Sequence, residues 1–272
     1  MYPYKAVICG CTKNSASYIY RNLENLYAIK PLFSLCHFVL YENDSHDDTL
    51  SILQRFKENH SDFTYISEKN VAQRIKCNQS IQLRPQIIAH GRNTLLQYVS
   101  QMNIDFDYLI MVDTDDVIVT LKPDQFQYIF QHDTSSWDAL FANCLGKYYD
   151  IWALRIGENV FDREVHGQIW NRCIDYDCWE MAAKMRNIQI YVYNNQKTIQ
   201  VYMPLIRVDS AFGGLGIYKY DKIRDCKYSA IINGRLRCEH VEFHRQMTEK
   251  HNARMFICPK FLLNCQPEHT KT

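Results

Sequence analysis

A cluster of carboxylates follows an apolar run near the middle of the chain. Residues 108–112 read Tyr-Leu-Ile-Met-Val, which is typical of a strand buried on both faces, and Asp113, Thr114, Asp115 and Asp116 come directly after it. Close carboxylates repel one another unless a cation compensates them, so the cluster suits a hard divalent ion such as Mn²⁺ or Mg²⁺. The alternative is a solvated acidic turn. We favour the ion, because open α/β sheets bind ligands at the carboxyl ends of their strands.

A second polar cluster follows the second predicted strand. It contains Glu42 and Asp44, and Asp47 and Asp48 follow at the start of a predicted helix. A carboxylate in this position is suited to accept hydrogen bonds from ribose hydroxyls, as acidic residues do in dinucleotide-binding folds. It is equally suited to cap the helix by accepting from backbone N–H groups. Both roles are compatible, with Glu42 and Asp44 binding a nucleoside and Asp48 capping the helix.

Three segments, taken in order, resemble those of a known family. They are residues 41–50 (YENDSHDDTL), residues 90–93 (HGRN) and residues 112–116 (VDTDD). Together they resemble the GT-A glycosyltransferases, and most closely the cryptococcal capsule mannosyltransferase-like group with its viral and bacterial relatives. The resemblance implies a metal-dependent transfer of a hexose from a UDP- or GDP-sugar to a hydroxyl acceptor, with GDP-mannose favoured.

The same resemblance assigns roles to individual residues. Asp113 and Asp115 match the motif that holds the metal and the diphosphate, with Thr114 between them as a further donor contact. The loop after the first strand and the Glu42–Asp44 pair match the nucleoside pocket, so we also expect contacts from Cys9 and Thr12.

Arg92 and Asn93 precede the apolar part of the next predicted helix. A guanidinium near the acidic cluster can pair with the diphosphate, or with an aspartate that holds the metal. The alternative is a surface arginine at a helix N-terminus, where the helix dipole slightly disfavours a positive charge. We expect both residues to contact the donor.

Two later segments have the composition of a sugar site. Residues 148–155 combine aromatic side chains with Asp150 and Arg155, so Asp150, Trp152 and Arg155 suit a donor-sugar or acceptor contact, or else an ordinary half-buried strand. Gly213 and Gly214 permit close approach of the backbone to a ligand, and the alternative is a tight turn. This glycine loop comes too late in the chain for a dinucleotide-binding motif, which follows the first strand.

His240 and His244 lie four residues apart, so both share one face of a helix. No Cys-x-x-Cys pair completes a zinc site with them. The family resemblance favours His240 as a further ligand of the ion, with His244 in reserve and a surface histidine as the alternative. If transfer inverts the anomeric centre, Asp150, Asp209 or Glu239 would accept the acceptor proton; a retaining reaction would need no such base.

The elements that position these residues alternate between strands and helices. We expect strands over residues 6–9, 36–41, 63–66 and 108–112, with helices over 16–27, 48–59 and 86–102 between them. The second half has strand-like pieces at 138–142, 198–201 and 205–208 and a helical pattern over 169–185. This order predicts a single α/β domain with a mixed, mainly parallel sheet. Residues 1–116 form its nucleotide-binding half and residues 117–272 its acceptor half.

Composition limits the class of partner. The 272 residues include 31 lysines and arginines against 30 acidic residues, so no long-range positive field attracts nucleic acid or an anionic membrane. Eleven scattered cysteines indicate reduced thiols rather than a disulfide scaffold. No secretory signal or membrane span is evident, so we expect a cytoplasmic protein or a domain of a longer one.

Two other functions remain open. A nucleotidyltransferase acting on sugar phosphates would need a glycine-rich, basic loop after the first strand, and residues 9–14 offer one glycine and one lysine. A non-catalytic sugar-binding module would need only the aromatic segment and would leave the acidic cluster without a role.

Overall fold

The computed structural model describes residues 1–75, 80–131, 133–185 and 187–264. Its strands are β1 (Tyr2–Thr12), β2 (Phe33–Asn43), β3 (Phe63–Glu68), β4 (Tyr108–Asp113), β5 (Ala139–Cys144), β6 (Ile206–Val208), β7 (Leu215–Lys219), β8 (Ile231–Ile232), β9 (Arg235–Leu236) and β10 (Met255–Leu263). Its α-helices are α1 (Ile19–Ile29), α2 (Thr49–Asn59), α3 (Val71–Arg74), α4 (Ser80–Gln101), α5 (Pro123–Gln131), α6 (Cys178–Met185), α7 (Ile188–Tyr191) and α8 (Glu239–His251). Short 3-10 turns cover Lys30–Leu32, Asp116–Ile118, Thr134–Ser136, His166–Gln168, Tyr193–Asn195 and Tyr220–Lys222.

Eight strands form one sheet in the order β3-β2-β1-β4-β7-β5-β10-β6, and β8 pairs with β9 in a small hairpin. The pairs β3–β2, β2–β1, β1–β4 and β5–β10 are parallel, whereas β7 runs antiparallel to both of its neighbours and β6 runs antiparallel to β10. The predicted fold class, an α/β domain with a mixed, mainly parallel sheet, is confirmed. Among the described residues, no helix is both long and apolar enough to cross a membrane.

β4 is buried on both faces, as its continuous apolar run predicts. Leu109 and Met111 pack into the core on one face of the sheet, while Tyr108, Ile110 and Val112 pack into the core on the other. Strand residues alternate between faces, so helices must cover both sides of a strand that is apolar throughout. This double burial fixes β4 at the centre and places the residues that follow it at the carboxyl edge of the sheet.

Several predicted elements differ from the observed ones. The helix expected over residues 86–102 begins earlier, at Ser80, so Arg92 lies inside α4 and not at its start. The segment expected to be helical over 169–185 is an α-helix only from Cys178 onward, because Ile174 pairs with Ile156 in an isolated bridge instead. The strand expected over 198–201 is reduced to one bridge between Thr198 and Lys147. In both places, pairing with a distant segment overrides the local pattern.

Asp138 connects three strands at one end of the sheet. Its buried carboxylate accepts a hydrogen bond from the backbone N–H of Arg254 at 2.8 Å, just before β10, and lies 3.3 Å from Nζ of Lys219 at the end of β7. Burial opposes ionisation of this carboxyl. The Arg254 N–H and the Lys219 charge outweigh burial and lower the pKa of Asp138 below its ordinary value.

We therefore predict that Asp138→Asn lowers the free energy of unfolding by about 1–3 kcal/mol at pH 7. Because folding lowers the pKa, the charge contributes its full stabilisation above the unfolded value of about 3.9 and loses it as the pH falls through the folded value. Urea unfolding at pH 7 and at pH 3 should therefore show a smaller difference between wild type and variant at pH 3. Asp221→Asn, in an exposed pair with Lys222, is the control and should change stability by less than about 0.5 kcal/mol. An equal loss for Asp138→Asn at both pH values would contradict the assignment.

Candidate active site

A cavity of about 750 Å³ opens at the carboxyl ends of the parallel strands β1, β2 and β4. Segments from both halves of the chain line it. Its lining includes Cys11, Thr12, Lys13, Tyr41, Asn43, Arg84, Arg92, Asp113, Thr114, Asp115, Tyr149, Asp150, Trp152, Trp179, Tyr193, Phe212, Cys238, Glu239 and His240.

Strand register explains which side chains reach this cavity. Cys11 of β1 is the register partner of Tyr41 in β2 and of Asp113 in β4, and all three line the cavity. They form a row across three parallel strands. Asn43, two residues beyond Tyr41 on the same strand face, also lines the cavity, whereas Glu42 between them does not.

The acidic loop after β4 is held by hydrogen bonds to its backbone. Nδ2 of Asn22, which is fully buried in α1, donates to the carbonyl oxygens of Thr114 at 2.9 Å and Asp115 at 2.6 Å. The Thr114 hydroxyl donates to the carbonyl of Cys11 at 2.8 Å. Asp113 and Asp115 line the cavity, and one oxygen of Asp115 accepts from the backbone N–H of Val117 at 3.2 Å. The backbone contacts therefore direct both carboxylates toward the same space.

Arg92 is buried beside this loop between two carboxylates. Its guanidinium pairs with Asp113 at 3.0 Å and with Glu239 at the start of α8. Its Cζ lies 4.9 Å from the ring centre of Phe212 and 5.5 Å from that of Tyr228. The alternative of a surface arginine at a helix start is wrong, because Arg92 is only 3% exposed and lies inside α4.

Carboxyl groups outnumber cationic side chains on the cavity wall. Asp113, Asp115, Asp150 and Glu239 line it against three cationic side chains, those of Lys13, Arg84 and Arg92. Burial raises the pKa of Asp113 to about 7; Arg92 acts in the opposite direction, and the neighbouring carboxylates add to the rise. Burial also raises the pKa of Asp150, although N–H groups of Gly213 and Ala153 donate to its two oxygens. A bound cation would compensate this charge.

His240 and His244 differ in whether their ring nitrogens are available. Both nitrogens of His240 lack a hydrogen-bond partner among the described residues, and its ring stacks on Phe212 at 4.0 Å. Burial and the nearby Arg92 charge lower the pKa of His240 well below 6.5, so the ring is neutral at physiological pH. The nitrogens of His244 contact the Ser210 hydroxyl at 2.8 Å and the Tyr218 hydroxyl at 2.9 Å. The structure therefore leaves His240, and not the reserve His244, free to bind a ligand.

The three predicted metal ligands share the cavity without converging on one point. Among the described residues, the trio of acidic, histidine or cysteine ligand atoms that lie within 4.8 Å of one another belongs to Asp225, Cys226 and His251. Asp113, Asp115 and His240 are not gathered to that distance. Arg92 already places a positive charge beside Asp113, as a bound cation would.

Three residues predicted from the first strands lie away from the cavity. Cys9 is fully buried in the core, two positions before Cys11 on the same strand face. Glu42 accepts from the backbone N–H of Ser45 at 2.8 Å and from the Ser67 hydroxyl at 2.5 Å. Asp44 accepts from backbone N–H groups at the start of α3. Within the described part of the chain, none of the three lines the cavity, because Cys9 packs in the core and the two carboxylates hold local turns.

Three further predicted residues also form structural contacts away from the cavity. Asn93 exchanges two hydrogen bonds with the backbone of Tyr228, at 2.8 and 2.9 Å. Arg155 pairs with the buried Asp177 at 2.7 Å, and Asp209 accepts from the backbone N–H of Gly157 at 2.7 Å. None of the three lines the cavity among the described residues. Asn93 thus joins α4 to the segment around Tyr228, while Arg155 and Asp209 hold segments of the second half together.

The two glycines act on the cavity through the backbone. Gly213 has φ of +66°, and a Cβ there would lie 2.4 Å from the carbonyl oxygen of Ala142, so only glycine fits. Its N–H donates to Asp150 at 2.9 Å, and the carbonyl of Gly214 accepts from the N–H of Asp113 at 2.9 Å. The glycines thus position two acidic residues without lining the cavity themselves.

Aromatic side chains form a wall of the cavity that sequence reasoning found only in part. Trp152 lines it as predicted, packed against Trp179 with ring centres 4.4 Å apart. Sequence reasoning missed Trp179, Tyr193 and Phe212, which come from separate segments. The row of cavity residues that includes Cys11 and Tyr41 was also missed. Aligning the carboxyl ends of the predicted parallel strands and counting back from each end would have found it.

We predict that Arg92→Met lowers the free energy of unfolding by about 3–5 kcal/mol, because it leaves the buried Glu239 carboxylate and the partly exposed Asp113 carboxylate without their partner. Adding Glu239→Gln should restore part of that loss, and urea unfolding of the two single variants and the double variant measures the coupling. Arg224→Met, in an exposed pair with Asp105, is the control and should cost less than about 1 kcal/mol. Additive effects of Arg92→Met and Glu239→Gln would contradict the buried pairing.

No protein-family model matches the sequence, and no curated protein matches it. Solved structures do match the fold. One is a mannosyltransferase of Pyrobaculum calidifontis in complex with GDP-Man and Mn²⁺, with a TM-score of 0.53 and 13% identity over 97% of this chain and 57% of that one. Another is residues 1–349 of TarS from S. aureus, with a TM-score of 0.51 and 15% identity over 97% of this chain and 61% of that one. The chain spans about three-fifths of the length of these proteins. At these identities the likeness establishes the fold, which is the α/β fold of GT-A glycosyltransferases.

Proposed function

We propose that the chain is a nucleotide-sugar-dependent glycosyltransferase that moves a hexose to an acceptor hydroxyl with the aid of Mn²⁺ or Mg²⁺. The observation that carries the proposal is the acidic cavity at the carboxyl ends of β1, β2 and β4, on a fold shared with solved glycosyltransferases. Ligands of open α/β sheets bind at this edge. A volume of about 750 Å³ is in the range of sites for ligands of this size.

The donor would lie along the row of strand ends. The nucleoside would contact residues 11–15 and Asn43, which replace Cys9, Glu42 and Asp44 in the role expected from the sequence. The Pyrobaculum calidifontis structure contains GDP-Man and Mn²⁺, which supports a nucleotide-sugar and a divalent ion as ligands here. The choice between UDP- and GDP-sugars, the cytoplasmic location and the kinship with the cryptococcal capsule group stay predictions.

Asp113, Asp115 and His240 would hold the ion. The fit rests on their chemistry: two carboxylates on a wall where carboxyl groups outnumber cationic side chains, and a buried neutral imidazole whose nitrogens have no hydrogen-bond partner among the described residues. When bound, the ion would neutralise charge on the leaving diphosphate. Arg92 would add a fixed positive charge to the same wall and keep Glu239 and Asp113 in place.

Asp150 is the base that we favour if the reaction inverts. Asp150 and Glu239 both line the cavity, whereas Asp209 does not. The carboxylate of Glu239 is already paired with the guanidinium of Arg92. Asp150 lies among aromatic residues, with its carboxylate held by N–H groups of Gly213 and Ala153, so it is positioned to accept the acceptor proton. Trp152, Trp179 and Tyr193 offer ring faces on which a sugar can stack.

We predict that the wild type binds UDP or GDP only when Mn²⁺ is present, and that Asp115→Asn removes this binding. The asparagine keeps the oxygen that accepts from Val117 and loses the charge that attracts the ion. Isothermal titration of each nucleotide, with and without Mn²⁺, measures the metal dependence of binding and its loss in Asp115→Asn. It also shows which nucleobase, uracil or guanine, the protein prefers. Asp116→Asn is the matched control, because Asp116 is a neighbour in the same motif that does not line the cavity. Equal binding by Asp115→Asn and wild type would exclude the metal assignment.

A second prediction separates the two histidines. His240→Ala should weaken Mn²⁺ affinity by about tenfold or more, as expected when a ligand is lost. His244→Ala should leave that affinity unchanged and lower stability, because it removes the contacts to Ser210 and Tyr218. Mn²⁺ titration monitored by electron paramagnetic resonance, together with urea unfolding, measures both. Unchanged affinity in both variants would mean that α8 closes the cavity without binding the ion.

A further inference from the structure

A second cavity, of about 520 Å³, adjoins the first, because Tyr193 lines both. Lys147, Lys197 and Thr198 line it, and amide side chains complete the wall. We call this cavity the lysine groove. Sequence reasoning did not find it, since its residues come from two segments about fifty positions apart.

The backbone holds the two lysines close together. Lys147 and Thr198 form an antiparallel bridge, and the N–H of Tyr148 donates to the carbonyl of Lys197 at 2.8 Å. Both lysine residues are exposed. Across the described part of the chain, neither ammonium group has a carboxylate oxygen within 4.0 Å. Both lysines line the same groove from neighbouring backbone segments, so an anion bound there would be attracted by two positive charges.

The two cavities differ in the sign of their charge. Four carboxylates line the first cavity, whereas none lines the lysine groove. An anion can therefore bind directly in the groove without a metal ion. The amide nitrogens of Gln189 and Gln196 already donate to Asn194 at 2.8 Å and to the carbonyl of Tyr149 at 3.0 Å, which leaves the Asn194 amide and the Thr198 hydroxyl as neutral donors of the groove. Phosphate, with several acceptor oxygens, suits a site that combines two lysine point charges with such donors.

We propose that the lysine groove binds a phosphate group of the acceptor. The proposal rests on the glycosyltransferase function proposed above. The acceptor phosphate lies on Lys147 and Lys197, and the acceptor hydroxyl extends past Tyr193 toward Asp150. The acceptor is thus a phosphorylated molecule, and its phosphate is kept apart from the diphosphate of the donor.

A phosphate can come from a soluble sugar phosphate or from a lipid headgroup. Four exposed apolar residues lie within four positions of groove residues along the chain: Leu145, Ile190, Val201 and Tyr202. Exposed apolar residues in the same chain segments as the groove suit an acceptor with an apolar tail, so the experiment includes an arm for each source.

The test is titration of inorganic phosphate and of mannose 6-phosphate into the wild type and into Lys147→Gln/Lys197→Gln. The double variant should bind both at least about tenfold more weakly. Lys5→Gln/Lys227→Gln removes the same charge from exposed lysines that line neither cavity and should bind as the wild type does. These substitutions are on the surface, so all variants should keep the wild-type fold. Equal phosphate binding by both double variants would overturn the proposal.

Co-sedimentation with phosphatidylcholine vesicles, with and without phosphatidic acid, distinguishes the sources. Binding that requires phosphatidic acid and is lost in the groove variant would support a lipid phosphate, whereas sugar-phosphate binding without vesicle binding would support a soluble acceptor.

Titration of GDP and UDP distinguishes failure of this proposal from failure of the proposed glycosyltransferase function. Phosphate binding that is lost in the groove variant, without any nucleotide binding by the wild type, would support the phosphate site and exclude the glycosyltransferase function. Nucleotide binding by the wild type, with a phosphate affinity that is unchanged in the groove variant, would overturn only the proposed phosphate site.

Discussion

The ion pairs of Arg92 are the constraint on which the site depends. A buried guanidinium has a high desolvation cost, and Arg92 offsets it with Asp113 from β4, Glu239 from α8 and the faces of two aromatic rings. These contacts join residues about 150 positions apart in the chain. The first half of the chain supplies the strand ends and the second half supplies α8, and Arg92 brings the two together at the wall of the cavity.

Most of the fold could be predicted from local patterns in the sequence. Strands such as β4 are apolar on both faces and alternate with helical patterns, and this local signal is enough to predict a parallel sheet. The errors lie where a distant partner decides the conformation. Ile174 leaves its helical pattern to pair with Ile156, and Thr198 makes a single bridge with Lys147. No local pattern carries that information.

The site could be predicted only as far as residue type and strand position determine it. Asp113 and Asp115 follow a central strand, so their place at the cavity was predictable. Glu42 and Asp44 have the right chemistry, but Glu42 faces away from the cavity and Asp44 holds the start of α3. Arg155 is used by Asp177. Whether a charged side chain near a site can reach a ligand depends on the partners that the fold gives it, and the sequence does not reveal those partners.

The hydrogen bonds of Asn22 have a consequence for how the cavity receives a ligand. One amide group in α1 holds the carbonyls of Thr114 and Asp115, and α1 is itself packed on the sheet through Leu23 and Leu26. The acidic loop therefore keeps its backbone conformation before any ligand arrives. A cation that enters finds the peptide geometry preorganised, so its binding energy need not be used to order the chain. Reorganisation is then limited to the side chains, chiefly to the exchange of Asp113 between Arg92 and the incoming charge.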